Sequence, residues 1–333
     1  MAKVKHESHW YPLEPGESVL DALLRQGVSI PNACRAGACQ SCLLRAVSGT
    51  LPEAAQVGLK DTLRAQGYFL ACACRPPEGT ALEVMGAEAL RVPARITAVT
   101  PLSDSVLSVR LRTDTPLAYH AGQYISLVRA DGLTRSYSLA SLPREDTLEL
   151  HVRLQPGGAM SGWLAREARP GDRLQVQGPA GTCFYVPGRP EQPLLLAGTG
   201  TGLAPLYGIV RDALEAGHSG PIWLFHGART PSGLYLTQAL RALAERHPPL
   251  RYRPCVLEGG SRDVAEGALD VLIRSECPKP VGWRAWLCGD GPLVLSLRKK
   301  LFLAGLSLKE LHVDAFLPSV APVQCVTTDA GAR

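Results

Sequence analysis

Three cysteines, Cys34, Cys39 and Cys42, lie in the run CRAGACQSC with four and then two residues between them, and Cys72 follows after a further twenty-nine. A C-x4-C-x2-C…C spacing is that of four thiolates around a [2Fe–2S] cluster. Gly37 and the small residues Ala36, Ala38 and Ser41 let backbone amides approach the sulfurs, so the short loop can wrap one side of such a cluster. A distant fourth cysteine then closes the cage. Structural zinc sites usually pair two C-x2-4-C knuckles, and this segment holds only one. Spacing alone leaves both Cys72 and Cys74 as the fourth ligand.

The chain of 333 residues has room for two or three domains, each with its own core. Ten cysteines are too sparse for a disulfide scaffold, and four are already spoken for by metal. No apolar run approaches the roughly 20 residues that cross a bilayer, and MAKVKHESHW lacks the apolar segment of a signal peptide. A reducing cytoplasm and no membrane insertion are expected. The net charge of +5 arises after residue 90, because residues 1–90 hold nine acidic and eight basic side chains. Lys and Arg do not cluster with aromatics, which argues against nucleic acid as a partner. A monomer is expected.

Composition shifts divide the chain into 1–90, 91–190, 191–318 and a tail, 319–333. In the first part a strand, a turn at EPGE and the phrase SVLDALLRQG follow in order. There Val19, Leu20, Leu23 and Leu24 have helical spacing and Gly27 is a stop signal. This is a β-grasp order, with the cysteine loop after the helix. The second part alternates in short segments, ARITAVT, SVLSVRLRT, QYISLVR and LELHVRL, with Gly, Pro and Asp between them, which predicts an antiparallel β-barrel. The third alternates apolar strands (PLLLAG, PIWLFHG, AWLCGD) with helical patterns (LAPLYGIVRDALEAG, YLTQALRALAERH), predicting a parallel α/β sheet.

Two further motifs carry chemistry. In Arg135-Ser136-Tyr137-Ser138 an arginine can grip phosphate, a tyrosine can lie against an isoalloxazine ring, and a serine can hydrogen-bond its N5 edge. Downstream, Gly157-Gly158-Ala159-Met160-Ser161 is a glycine turn opening a helical pattern, a seat for a pyrophosphate. The second motif, Gly198-Thr199-Gly200-Thr201-Gly202-Leu203-Ala204-Pro205, follows a strand and opens a helix. Its glycines let backbone approach a dinucleotide phosphate. Cys288-Gly289-Asp290-Gly291-Pro292 follows another strand, and Cys288 taken alone reads as a small buried hydrophobe.

Together these phrases resemble the ferredoxin–NADP reductase superfamily, specifically the iron–sulfur flavoprotein reductases that feed multicomponent oxygenases. The resemblance runs from the cysteine loop through RSYS, GGAMS and GTGTGLAP to CGDGP and HVDAF. It implies a [2Fe–2S] cluster on Cys34, Cys39, Cys42 and Cys72, since Cys72 ends the ligand-type phrase GYFLAC. It implies FAD held by Arg135, Ser136, Tyr137 and Ser138, with Ser138 at N5, and by Gly157, Gly158, Met160 and Ser161 at the pyrophosphate. It implies NADH, or NADPH, bordered by Gly198, Thr199, Gly200, Thr201, Pro205, Cys288 and Gly289, with Tyr137, Ser138, Thr201 and Cys288 at the reacting rings. Phe316 matches the aromatic that covers the flavin, although here some seventeen residues follow it.

A nicotinamide gives up a hydride, a flavin takes the pair and releases electrons singly, and a cluster of this type carries one. A chain with all three turns a two-electron donor into two single deliveries. Arg229, Thr230 and Ser232 stand where a ribose 2′ group is expected, and the reading leans toward NADH. The expected acceptor is an oxygenase of Rieske or diiron type. The resemblance extends to the CDP-6-deoxy-glucoseen reductases of deoxysugar biosynthesis, which serve a dehydratase. A non-catalytic electron carrier or redox sensor is the third reading.

Overall fold

The structure, a computed structural model, describes residues 1–30, 32, 35, 37, 42–85 and 91–316. Three sheets follow one another along the chain.

The first sheet contains β1 (Lys3–His6), β2 (His9–Pro12), β3 (Leu43–Ser48), β4 (Tyr68–Leu70) and β5 (Ala81–Met85) in the spatial order β2-β1-β5-β3-β4. β1 and β5 are parallel and the other pairs antiparallel, the β-grasp arrangement expected. α1 (Val19–Arg25) packs on it. Ser18 Oγ accepts from the Asp21 amide at 3.1 Å and so caps the helix, and Val19, Leu20 and Leu23 are buried. Gly27, at φ +86°, turns the chain out of it in the left-handed region that glycine enters without strain. α2 (Asp61–Ala65) precedes β4.

The second sheet is antiparallel: β6 (Arg91–Ser103), β7 (Val106–Thr113), β8 (Tyr124–Val128), β9 (Thr134–Ser138), β10 (Leu148–Arg153) and β11 (Arg173–Ala180), ordered β10-β7-β6-β11-β8-β9. A bridge between Leu139 and Leu150, beside the Ala140 amide on the Glu149 carbonyl at 2.8 Å, joins the two ends and closes the barrel. α3 (Ala159–Arg166) lies between β10 and β11.

The third sheet is wholly parallel: β12 (Leu194–Thr199), β13 (Ile222–Ala228), β14 (Leu250–Val256), β15 (Ala265–Glu266), β16 (Arg284–Asp290) and β17 (Leu311–Phe316), ordered β15-β14-β13-β12-β16-β17. Both faces are covered by α4 (Leu203–Glu215), α5 (Thr237–Arg246), α6 (Leu269–Glu276) and α7 (Gly291–Leu303). That cover explains the continuous apolar runs of its strands, with Leu194, Leu195, Leu196 and Ala197 all buried. Strand order reverses between β12 and β16, so a crevice opens at their carboxyl ends. No helix among the described residues is long and apolar enough to cross a membrane.

Candidate functional site

Pairing of β3 with β4 brings Cys42 and Cys72 together although 29 residues separate them in sequence. Leu43 stands opposite Leu70, and the Ala71 amide donates to the Cys42 carbonyl at 3.1 Å, so the two cysteines flank the same strand ends. Both are buried. Cys34 and Cys39 lie outside the described residues. Cys74 lies in the same core cluster as Cys42 and Cys72, its carbonyl accepts from the Val19 amide at the start of α1, and burial pushes its thiol up to about 12.

In β9 the residues alternate, so Arg135 and Tyr137 share one face of the strand and Ser136 and Ser138 the other. Tyr137 packs on the barrel core, and burial raises its hydroxyl to about 12, which keeps the ring neutral. Ser136 Oγ pairs with Ser126 Oγ at 2.8 Å. Arg135 is partly exposed, one guanidinium N–H donating to the Thr134 carbonyl at 2.7 Å. Gly157, at φ +68°, turns the chain into α3, whose Gly158 cap supplies no side chain to its first amides. A Cβ on Gly158 would stand 2.5 Å from Ser161 Oγ. That hydroxyl accepts from the Gln155 amide at 3.2 Å, and Met160 is buried, so both residues offer the helix start their backbone amides rather than their side chains.

The glycines of the third unit interlock. β12 and β16 run in register with Gly198 beside Cys288. A Cβ on Gly202 would come within 2.3 Å of the Cys288 carbonyl oxygen, and one on Gly289 within 2.7 Å of the Thr199 carbonyl oxygen. Gly198 is tight as well, at 2.8 Å from Leu206 Cδ1. Only glycine lets the two loops close on each other this far. Gly200, at φ +54°, and Thr201 form the turn between β12 and α4, where Pro205 is buried in the first turn.

One of the contacts between the two lobes lies at the crevice. Ser138 Oγ in β9 donates to Asp314 Oδ2 in β17 at 2.9 Å. Asp314 stands in register beside Cys288 on the neighbouring strand. Burial raises the Asp314 carboxyl above its ordinary range, against the Ser138 hydrogen bond, which lowers it. Cys288 is buried, and desolvation together with the adjoining Cys183 thiol pushes its pKa well above the ordinary value. It therefore presents a neutral thiol and no nucleophile. Phe316 ends β17, partly buried, opposite Asp290. At the far end of the crevice Arg229 is 81 % exposed, and its Nη2 lies 3.6 Å from Glu258 Oε1.

Residues 4–77 match the 2Fe-2S iron-sulfur cluster binding domain, residues 93–185 the oxidoreductase FAD-binding domain, and residues 196–294 the oxidoreductase NAD-binding domain. The reductase subunit of an aromatic O-demethylase from an Amycolatopsis species is 37% identical over 323 residues, covering 92% of this chain and 96% of that protein. The chain belongs to the ferredoxin–NADP reductase family, in the group that carries a [2Fe–2S] domain. Another relative, the ferredoxin–NAD(P)(+) reductase component of naphthalene 1,2-dioxygenase and salicylate 5-hydroxylase systems from a Ralstonia species, is 34% identical over 92% of this chain and 95% of its own length. The crystal structure of the Amycolatopsis cytochrome P450 reductase GcoB superimposes with a TM-score of 0.66 at 33% identity, over 96% of this chain and 99% of that one. As a member of this family the chain is an NAD(P)H oxidoreductase that works with [2Fe–2S], FAD and NAD(P)H.

The residues present fit these groups. Two buried cysteines stand at adjoining strand ends, an uncapped helix start follows a glycine turn, and the interlocked glycines clear backbone for a dinucleotide. Sequence reasoning passed over Asp314, Cys183 and Glu258. For Asp314 a signal existed, because an acid in the mostly apolar strand LHVDAF has no place in a core unless a partner meets it.

Proposed function

We propose that this reductase takes two electrons from NADH and delivers them singly to a terminal oxygenase acting on an aromatic compound. The observation that carries the reading is the Ser138–Asp314 contact, which joins the flavin lobe to the nucleotide lobe beside Cys288. Bound nicotinamide would supply a hydride, flavin would accept the pair and release electrons one at a time, and the cluster would carry one.

The protein's own residues do the rest. Cys34, Cys39, Cys42 and Cys72 hold the cluster; Arg135, Ser136, Tyr137 and Ser138, with the amides of Gly157, Gly158, Met160 and Ser161, hold FAD. Asp314 accepts the Ser138 proton in a hydrogen bond and so fixes the hydroxyl's direction at the flavin edge. Gly198, Thr199, Gly200, Thr201, Pro205, Cys288 and Gly289 border the nicotinamide nucleotide, with the neutral Cys288 thiol filling space without reacting. Phe316 covers the far side and keeps water out. The boundaries that divide these tasks are 90/91 and 190/191, with a tail from 319.

Glu258 supports NADH as the donor. Its carboxylate beside Arg229 would compete with a 2′-phosphate for that guanidinium and repel it. The names of the relatives support an aromatic-compound oxygenase as acceptor, and widen its type from Rieske or diiron to a cytochrome P450. A monomeric cytoplasmic protein is consistent with this reading. Mixing the purified reductase with each of the three oxygenase types and NADH tests it: turnover of an aromatic substrate with one of them is expected. Reduction of cytochrome c with none of the three oxidases accepting electrons would point to another acceptor, such as the dehydratase of deoxysugar synthesis.

A further inference from the structure

Arg284, the first residue of β16, is a buried arginine whose side chain is 4 % exposed, and it does not face the nucleotide. Its Nη2 donates to Asp61 Oδ2 at 2.7 Å and its Nε to Glu310 Oε2 at 2.7 Å. Arg189, in the connection between β11 and β12, reaches the same two carboxylates, at 3.1 Å to Asp61 and 2.9 Å to Glu310. Two cations and two anions thus alternate, and one of the anions belongs to the cluster domain. Next to it, Lys60 Nζ donates to the carbonyl of Leu311 at 2.7 Å, at the start of the strand that carries Asp314 and Phe316. Five residues on, Gln66 Nε2 reaches the Gly181 carbonyl of the flavin lobe at 3.2 Å, and Gln66 Oε1 accepts from Gln123 Nε2 at 2.9 Å.

Among the described residues, the side-chain hydrogen bonds that cross from the cluster domain to the other two are those of Lys60, Asp61 and Gln66. We propose that this short segment is a charged seat that docks the cluster domain in the junction of the flavin and nucleotide lobes, and so governs passage of single electrons from flavin to cluster. Asp61, Lys60 and Arg284 are positioning residues in this account and touch no reacting atom. Without Asp61 two guanidinium groups share the single carboxylate of Glu310, one of them buried, and a buried charge short of its partner is costly. A seat made of polar pairs, several of them partly exposed, is also reversible and weakened by salt. Electron tunnelling falls steeply with separation, so a loosened seat slows the flavin-to-cluster step and leaves hydride transfer, confined to the other two lobes, untouched.

The proposal rests on the cluster and flavin sites named above. Its test compares holoprotein of wild type, Asp61→Asn and Asp61→Glu by anaerobic stopped-flow with NADH and by small-angle X-ray scattering. Asp61→Asn should keep flavin reduction within about twofold of wild type and slow cluster reduction roughly tenfold, the loss expected of one ion pair, with a larger radius of gyration. Asp61→Glu should restore most of the rate, and added salt should slow cluster reduction in wild type more than in Asp61→Asn. Unchanged cluster reduction and scattering in Asp61→Asn, with normal cofactor spectra, would overturn the seat alone. Equal slowing of flavin reduction would overturn it too, by showing general damage. A wild type without a cluster spectrum would remove the underlying site reading, and the seat with it.

Discussion

Ser138 and Asp314, 176 residues apart in the chain, are joined by a 2.9 Å hydrogen bond that ties the flavin barrel to the last strand of the nucleotide sheet. The bond sits beside Cys288, where the proposed reading has hydride cross.

Ser138→Ala is expected to retain FAD and to slow flavin reduction by NADH roughly 10- to 100-fold, the worth of one hydrogen bond to a charged group. Asp314→Ala should do the same, and Asp314→Asn, which keeps an acceptor in place, should lose less. Stopped-flow reduction at saturating NADH reads this directly. Wild-type rates in both alanine variants would remove the pair from the hydride step.

The cysteine assignment predicts opposite results at two neighbouring positions. Cys72→Ser should abolish the visible spectrum of the cluster while NADH still reduces flavin, whereas Cys74→Ser should keep the spectrum and lose only some stability, since a buried cysteine that holds no metal acts as a small hydrophobe. Loss of the cluster in Cys74→Ser and its survival in Cys72→Ser would exchange the two roles.

Gly202 has an ordinary helical backbone, so alanine there is resisted by space alone. Its Cβ would have to push the Cys288 carbonyl away from 2.3 Å, which separates the two nucleotide loops. Gly202→Ala should cost about 1–3 kcal/mol of stability and weaken NAD⁺ binding with the FAD and cluster spectra intact. Titration calorimetry with NAD⁺ checks it, and unchanged affinity would mean that the loops do not form the nucleotide cradle.

Acid should destabilise the protein before carboxylates dominate. Burial lowers the imidazoles of His226 and His312 from 6.5 to about 3. Between those values the unfolded chain binds protons that the folded one refuses, so stability present above pH 6.5 is lost as pH falls, at about 1.4 kcal/mol per pH unit for each histidine. Asp212, raised to about 6 by burial and by Glu215, works the other way and offsets part of the loss below that pH. His226→Gln, which can still bond the Tyr252 hydroxyl, should flatten the fall in melting temperature between pH 6.5 and 5. An unaltered pH profile would show that His226 titrates normally.

What the sequence made legible are positions where chemistry dictates a residue type locally. Cysteines at cluster spacing, glycines in turns that open a helix, and Gly27 at the end of α1 all act within a few residues of chain. The partners of Asp314 and Asp61 were not legible, because they lie 176 and 223 residues away. Asp61 in isolation is an ordinary charge on a short helix; only the register of β16 and β17 gives Arg284 and Glu310 to it. The choice of Cys72 over Cys74 rests on the phrase GYFLAC, since packing places both thiols in one buried core.

The most direct test of the account is an anaerobic titration of the purified protein with NADH, then NADPH, followed by its visible spectrum. Uptake of about three electrons per chain, two into flavin and one into the cluster, with NADH more effective than NADPH, is the predicted result. Cofactors that are present yet bleached by neither nucleotide would contradict it and leave the chain a carrier reduced by another protein.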